Sequence, residues 1–257
     1  VKNPLVPMRL FRNRNFVLTT LAGLAMGVSM FGTMAYLPTY LQMVHGMSPT
    51  AAGLMMIPMM VGLIGTSSTV GFIISRTGRY KWYPVAGMAI VTVAMFLMSR
   101  MTADTVIAIV GAYLFIMGLG LAMQVLVLIV QNSFPLRVVG TATAANNFFR
   151  QIGGAIGSSV VGALFIHRMQ ELLTDRLPTA MADIEPDALD AATGFGPEDL
   201  STLTPAILER LPGPIHDVVV SSYNDGLAPV FLMLVPLMGF AALVLAFVRE
   251  DKLKETV

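Results

Sequence analysis

Few side chains in this sequence could do chemistry, and where they are missing is informative. Between Asn15 and Ser75 there is no Asp, Glu, Lys or Arg. No Asp, Glu, Lys or His falls deep within any long apolar stretch, and His45, His167 and His216 lie near or beyond the stretch margins. That pattern removes metal clusters, Ser–His–Asp hydrolysis, HExxH chemistry and paired carboxylates. No enzyme activity, cofactor or metal is expected. Arg150 is the exception, inside an apolar stretch with Asn146, Asn147 and Gln151 beside it. An intramembrane charge is costly and by default marks a functional position. If its helix starts near Thr141, Arg150 lies about 13 Å in, at 1.5 Å per residue. Gln124, on the preceding stretch, is expected at similar depth. Gln124, Asn147 and Arg150 could face a water-filled cavity and recognise a ligand. Alternatively, Arg150 could snorkel or pin neighbouring helices.

Methionine is abundant, at 20 residues. Met26, Met30 and Met34 recur every fourth residue and share one helix face. Met55, Met56, Met59 and Met60 cluster further on. Flexible thioethers suit a wall that fits varied apolar ligands, and they also serve ordinary packing. Phe31 and Tyr36 flank the first stripe.

These residues must be positioned by membrane-spanning helices. Of the 257 residues 55% are hydrophobic and only 12% charged, with a mean hydropathy of +0.74. Soluble domains carry about 25% charged residues. A soluble enzyme, a nucleic-acid binder and a disulfide-stapled domain (there is no Cys) are therefore excluded. Six stretches are predicted to span, at ~16–44, ~49–74, ~83–99, ~105–131, ~141–166 and ~226–248. They read as helices because the apolar runs are continuous. Lys and Arg set the orientation. With the N-terminus inside, 11 basic residues fall inside and 4 outside, so both termini are predicted to be cytoplasmic. Twelve acidic residues lie outside, most of them in an outer loop at ~167–225. That loop is expected to be a solvated acidic segment or a cap over an outward vestibule. Short helical pieces are expected in it at Pro186–Ala192 and Pro197–Leu211.

Ser67-Ser68-Thr69-Val70-Gly71 and Ser158-Ser159-Val160-Val161-Gly162 occupy the second and fifth stretches. They point opposite ways in the membrane, as in an inverted-topology repeat. Gly23/Gly27, Gly153/Gly157 and Ser158/Gly162 are small-xxx-small pairs suited to close helix contact. Pro38, Pro58 and Pro236 interrupt stretches and could kink them.

Several segments resemble one family. Leu10-Phe11-Arg12-Asn13-Arg14-Asn15-Phe16 and Tyr40-Leu41-Gln42, followed by Ser48-Pro49-Thr50-Ala51-Ala52-Gly53-Leu54, are similar to the entry into the C-terminal half of fourteen-span major facilitator drug exporters. Gly71-Phe72-Ile73-Ile74-Ser75-Arg76-Thr77-Gly78-Arg79-Tyr80-Lys81 resembles the superfamily's signature loop between the second and third helices of each half. Asn147-Phe148-Phe149-Arg150-Gln151-Ile152-Gly153-Gly154-Ala155-Ile156-Gly157 resembles the same exporters' penultimate helix. One departure is Ser75, where the signature loop usually has Asp. The latch such an Asp would supply is expected to be weak here, while Arg76, Arg79 and Lys81 still meet anionic headgroups.

The resemblance implies an all-α transmembrane fold, with residues 1–257 forming a six-helix half of a major facilitator transporter built as a 3+3 inverted repeat. The first and fourth spans would line the cavity, and the second and fifth would face the missing N-terminal half. It also implies alternating-access, proton-coupled export of hydrophobic or cationic drugs from a cell membrane, with the proton-carrying acids mainly in the other half. Met30, Phe31, Met34, Tyr36, Gln124 and Asn147 would contact the small-molecule substrate. Arg150, Arg76 and Arg79 would be gating or structural charges. Partners would be that substrate, membrane lipids and the missing half, with no nucleic acid. A lipid or metabolite exporter of the same fold, and a non-transporting scaffold or sensor, are the alternatives. The chain begins with Val1 rather than Met and is expected to be part of a longer protein.

Overall fold

Asn13 opens the first long helix. Its side chain accepts a hydrogen bond from the Phe16 backbone N–H at 3.2 Å, satisfying one of the donors a helix start leaves free. Helix α1 runs from Arg14 to His45 and stops at Gly46, whose φ of 60° is the left-handed conformation that favours glycine. The computed structural model describes residues 7–121, 123–182, 204–208 and 211–250. Ser48 caps α2 (Pro49–Leu54), and α3 follows from Ile57 to Thr77. Pro58 sits in the first turn of α3, where its missing N–H is harmless. It therefore marks a division of the second stretch rather than a kink within a helix. The remaining helices are α4 (Trp82–Met98), α5 (Ile107–Gly120), α6 (Met123–Ser133), α7 (Leu136–Ala182), α8 (Pro205–Leu208) and α9 (Gly213–Ala246).

Five helical segments are long and apolar enough to cross a membrane: Arg14–His45, Pro49–Thr77, Ile107–Ser133, Leu136–Met181 and Gly213–Ala246. Trp82–Met98, at 17 residues, is at the lower limit for a span. The stretch expected at ~105–131 as one helix is divided into α5 and α6.

The outer segment differs from expectation. Its described parts are mostly helical: α7 continues to Ala182 and α9 begins at Gly213. At 47 residues α7 is about 70 Å long, over twice the hydrocarbon thickness. Leu173 and Leu177, and Ile215 and Val219, are spaced four apart and buried where α7 and α9 run together. Arg176 Nη2 pairs with Asp225 Oδ2 at 2.8 Å across the same contact. Of the two helical pieces expected here, α8 lies within the second, and Pro186–Ala192 lies outside the described residues.

Burial ranks the helices. In its most apolar window, 67% of α1 is buried, against 17% for α3 and 33% for α7. So α1 is central, while α3 and α7 present open apolar faces. Met26, Met59, Met88, Met95 and Met98 are fully enclosed. Much of the methionine is therefore packing material, and only part of the predicted stripe is free.

The tightest seams run between α1 and α7 and between α3 and α5. A Cβ on Gly27 would overlap the carbonyl of Arg150, and one on Gly153 would overlap Leu24. A Cβ on Gly118 would overlap the carbonyl of Met59, and one on Gly62 would overlap Phe115. The two sets correspond. Gly27 and Gly118, Met59 and Arg150, Gly62 and Gly153, and Leu24 and Phe115 are each 91 positions apart. The same offset relates Ser67 to Ser158. The two three-span units therefore repeat each other down to individual helix contacts. Glycine is required at each seam because the backbones approach too closely for a side chain.

Candidate functional site

A cleft of about 640 Å³ opens among α3, α6 and α7. Such volumes fall in the range of small-molecule sites. Helix α3 contributes Ser67, Gly71, Ile74 and Ser75; α6 contributes Gln124, Val125, Val127, Leu128 and Gln131; α7 contributes Asn147 and Arg150. Ser67 Oγ donates to Gln124 Oε1 at 2.8 Å, tying α3 to α6 and leaving the Gln124 amide nitrogen available. Asn147 Oδ1 is shielded and accepts no hydrogen bond from the described residues. Arg150 is half-buried, and its main chain is fixed against Gly27. It is found in no salt bridge among the described residues. From residue 14 to residue 166 the only carboxylate is Asp104, in the turn before α5.

A second cleft, of about 450 Å³, is lined by Phe31, Met34 and Ala35 of α1 and by Gln151, Gly154, Ala155 and Ser158 of α7. Part of its lining corresponds to the first through the internal repeat. The 91-residue offset carries Ser67 onto Ser158 and Val125 onto Met34, and all four line their clefts. The two clefts adjoin on α7, where Arg150 lines the larger and Gln151 the smaller; from there the larger extends toward Ser75 at the end of α3 and the smaller toward Ser158.

Each end is tied by polar contacts. At the end bearing Arg14, Arg79 and Arg249, Asn15 and Arg249 exchange two hydrogen bonds, each 2.9 Å. Glu250 Oε1 accepts from the Tyr80 N–H at 2.8 Å and the Lys81 N–H at 3.3 Å, at the start of α4. A carboxylate there satisfies free N–H groups and favours the positive helix end. At the opposite end, Tyr40 Oη donates to Asn224 Oδ1 at 2.9 Å, and Asn224 Nδ2 donates to the Met101 carbonyl at 3.3 Å.

Of the residues singled out in the sequence, Gln124, Asn147 and Arg150 meet in the larger cleft, and Phe31 and Met34 line the smaller. Met30 packs against the core instead. Tyr36 is held: its hydroxyl donates to the Ser158 carbonyl at 3.0 Å, and its ring tip fills the space beside Gly162. Arg76 and Arg79 lie at the exposed end of α3, with the Arg76 guanidinium 4.3 Å from the Phe72 ring centre. Among the described residues the Ser75 hydroxyl bonds back to the Phe72 carbonyl alone, at 2.8 Å. Sequence reasoning missed Gln131, the place of Ser67 in the cleft lining, and the Glu250 contact. Polar residues inside an otherwise apolar stretch were a usable signal for the first two. Glu250 had none, standing among the charges of the C-terminal segment.

Apolar helices around largely apolar clefts that hold a few polar groups, in two inversely related triplets, define the half-bundle of a membrane carrier. The Major Facilitator Superfamily model matches residues 1–158, and the chain belongs to that superfamily of multi-pass membrane carriers. It is 34% identical over 253 residues to an uncharacterised MFS-type transporter of Mycobacterium tuberculosis, covering 98% of this chain and 35% of that protein. It is 30% identical to the multidrug transporter protein MdtP of Bacillus subtilis, covering 98% of this chain and 49% of that one. It is 29% identical to the tetracenomycin C resistance and export protein of Streptomyces glaucescens, covering 96% and 46%. Among solved structures, it superposes on an inward-facing bacterial homologue of the human lysosomal transporter Spinster. The TM-score is 0.66 at 17% identity, over 93% of this chain and 48% of that one, a likeness of fold. The chain thus spans half or less of the length of these relatives.

Proposed function

We propose that this chain is the C-terminal half of a proton-coupled exporter of hydrophobic, drug-like compounds, working by alternating access. One observation carries the reading: two clefts of ligand size, partly related by the inverted repeat, adjoin at Arg150 and Gln151 of α7 and extend from there in opposite directions along the bundle. Inverted repeats let one element rock against the other around a site near the midplane. The open faces of α3 and α7 support docking of a second half there. The multidrug and antibiotic-export relatives support the substrate class. The arginine-rich end is then cytoplasmic, with both termini on that side. Proton coupling falls to acids outside this chain, because neither of these two clefts holds one. A scaffold domain would be expected to close its bundle, which the clefts argue against.

The test is drug accumulation in an efflux-deficient host expressing the full-length transporter, with and without a protonophore. Reduced accumulation that the protonophore reverses supports the reading. Accumulation equal to that of the empty host, with the protein present in the membrane, contradicts it.

A further inference from the structure

We infer that the larger cleft recognises the anionic group of an amphipathic organic substrate through Arg150. This rests on the proposed transport function and narrows it. Three observations carry it. First, Arg150 has no counterion among the described residues of its own chain. The stretch from residue 14 to residue 166 has only Asp104, and Glu250 is engaged by the N–H groups of Tyr80 and Lys81. A guanidinium among apolar helices is retained where something pairs with it. Second, its surroundings are those of a ligand site. Ile74, Val125, Val127 and Leu128 supply apolar wall, with a few polar groups converging on the same space. Gln124 adds an amide N–H donor that its bond from Ser67 leaves uncommitted. Third, depth separates this from a lipid headgroup site. Arg137, on the same helix, is 13 residues nearer the helix start, about 20 Å away. Headgroup anions belong at the level of Arg137, not Arg150.

A planar guanidinium binds a carboxylate through two parallel hydrogen bonds, which an ammonium cannot reproduce. A permanently cationic ligand meets an unscreened like charge instead. The larger cleft therefore selects against the cations that an acid-lined drug site would favour.

The experiment uses the purified full-length transporter in detergent and three matched probes: 2-naphthoate, its methyl ester, and a naphthyl trimethylammonium ion. Binding is read by calorimetry on the wild type and on Arg150→Gln and Arg150→Lys. The expected result is naphthoate bound at least tenfold tighter than the cation. Arg150→Gln should weaken naphthoate tenfold or more and the ester less than threefold, with Arg150→Lys intermediate. A wild type that prefers the cation, or binds none of the probes, overturns the inference. So does Arg150→Gln weakening all three alike, the behaviour of a structural arginine, or strengthening the cation while leaving naphthoate unchanged, the behaviour of an arginine paired with a carboxylate elsewhere in the transporter. Drug efflux measured in parallel separates the two readings: efflux without anion preference removes this inference and leaves the transport function standing.

Discussion

Gly27 lies against the carbonyl of Arg150, so close that no side chain fits between α1 and α7 at that level. This contact fixes the backbone of the one charged residue in the larger cleft. Its repeat mate, Gly118 against the Met59 carbonyl, fixes α5 against α3 in the same way.

Gly27→Leu and Gly118→Leu should each destabilise the bundle, by about 1–3 kcal/mol or more for overpacking at a backbone contact. Thermal unfolding in detergent should show a lowered midpoint for both. Gly239→Ala, where an added Cβ meets nothing within 4 Å, is the control and should be neutral or slightly stabilising.

Glu250→Gln keeps one acceptor oxygen for the Tyr80 and Lys81 N–H groups but removes the charge, whereas Glu250→Ala removes both. Loss of a helix-end acceptor typically costs about 1 kcal/mol. Thermal stability should fall in the order wild type, Gln, Ala. Equal stability of all three would show that the contact does not hold the start of α4.

Tyr40 and Asn224 are both buried and share a 2.9 Å hydrogen bond. Tyr40→Phe leaves the Asn224 carbonyl oxygen without its partner, and Asn224→Leu leaves the Tyr40 hydroxyl and the Met101 carbonyl without theirs. Each should cost about 1–3 kcal/mol. A double-mutant cycle should give a coupling of at least about 0.5 kcal/mol. Simple additivity would mean the contact contributes little.

The legible parts of this protein were those where a residue contradicts its surroundings. Arg150, Gln124 and Asn147 stood out because an apolar span makes any polar side chain conspicuous, and the structure brings all three into one cleft. The serine-rich segments at Ser67 and Ser158 already carried the 91-residue offset that the glycine seams share. Other features were hidden by composition. The prolines and acids of the outer segment masked the stripes of Leu173/Leu177 and Ile215/Val219, so α7 was expected to end early and α9 to begin late. Tyr36 and Met30 looked like cavity residues from spacing alone. Which face of α1 meets α7, however, is decided by Gly153, Gly157 and Gly162 on the partner helix. The division of the fourth span after Gly120 left no charge or proline as a marker.

The most direct measurement is alternate accessibility of the two clefts. The chain has no native cysteine, so Ser67→Cys and Ser158→Cys report their own clefts cleanly on this half. Each is introduced into the full-length transporter, with cysteines elsewhere removed, and labelled with a membrane-impermeant maleimide from either side. Reciprocal labelling is expected. When substrate or a proton gradient exposes the thiol of the Ser158→Cys variant from outside, that of Ser67→Cys should become protected from the cytoplasmic side, and the reverse. Labelling of both positions in the same state, or of either from the wrong side, would contradict alternating access through these clefts.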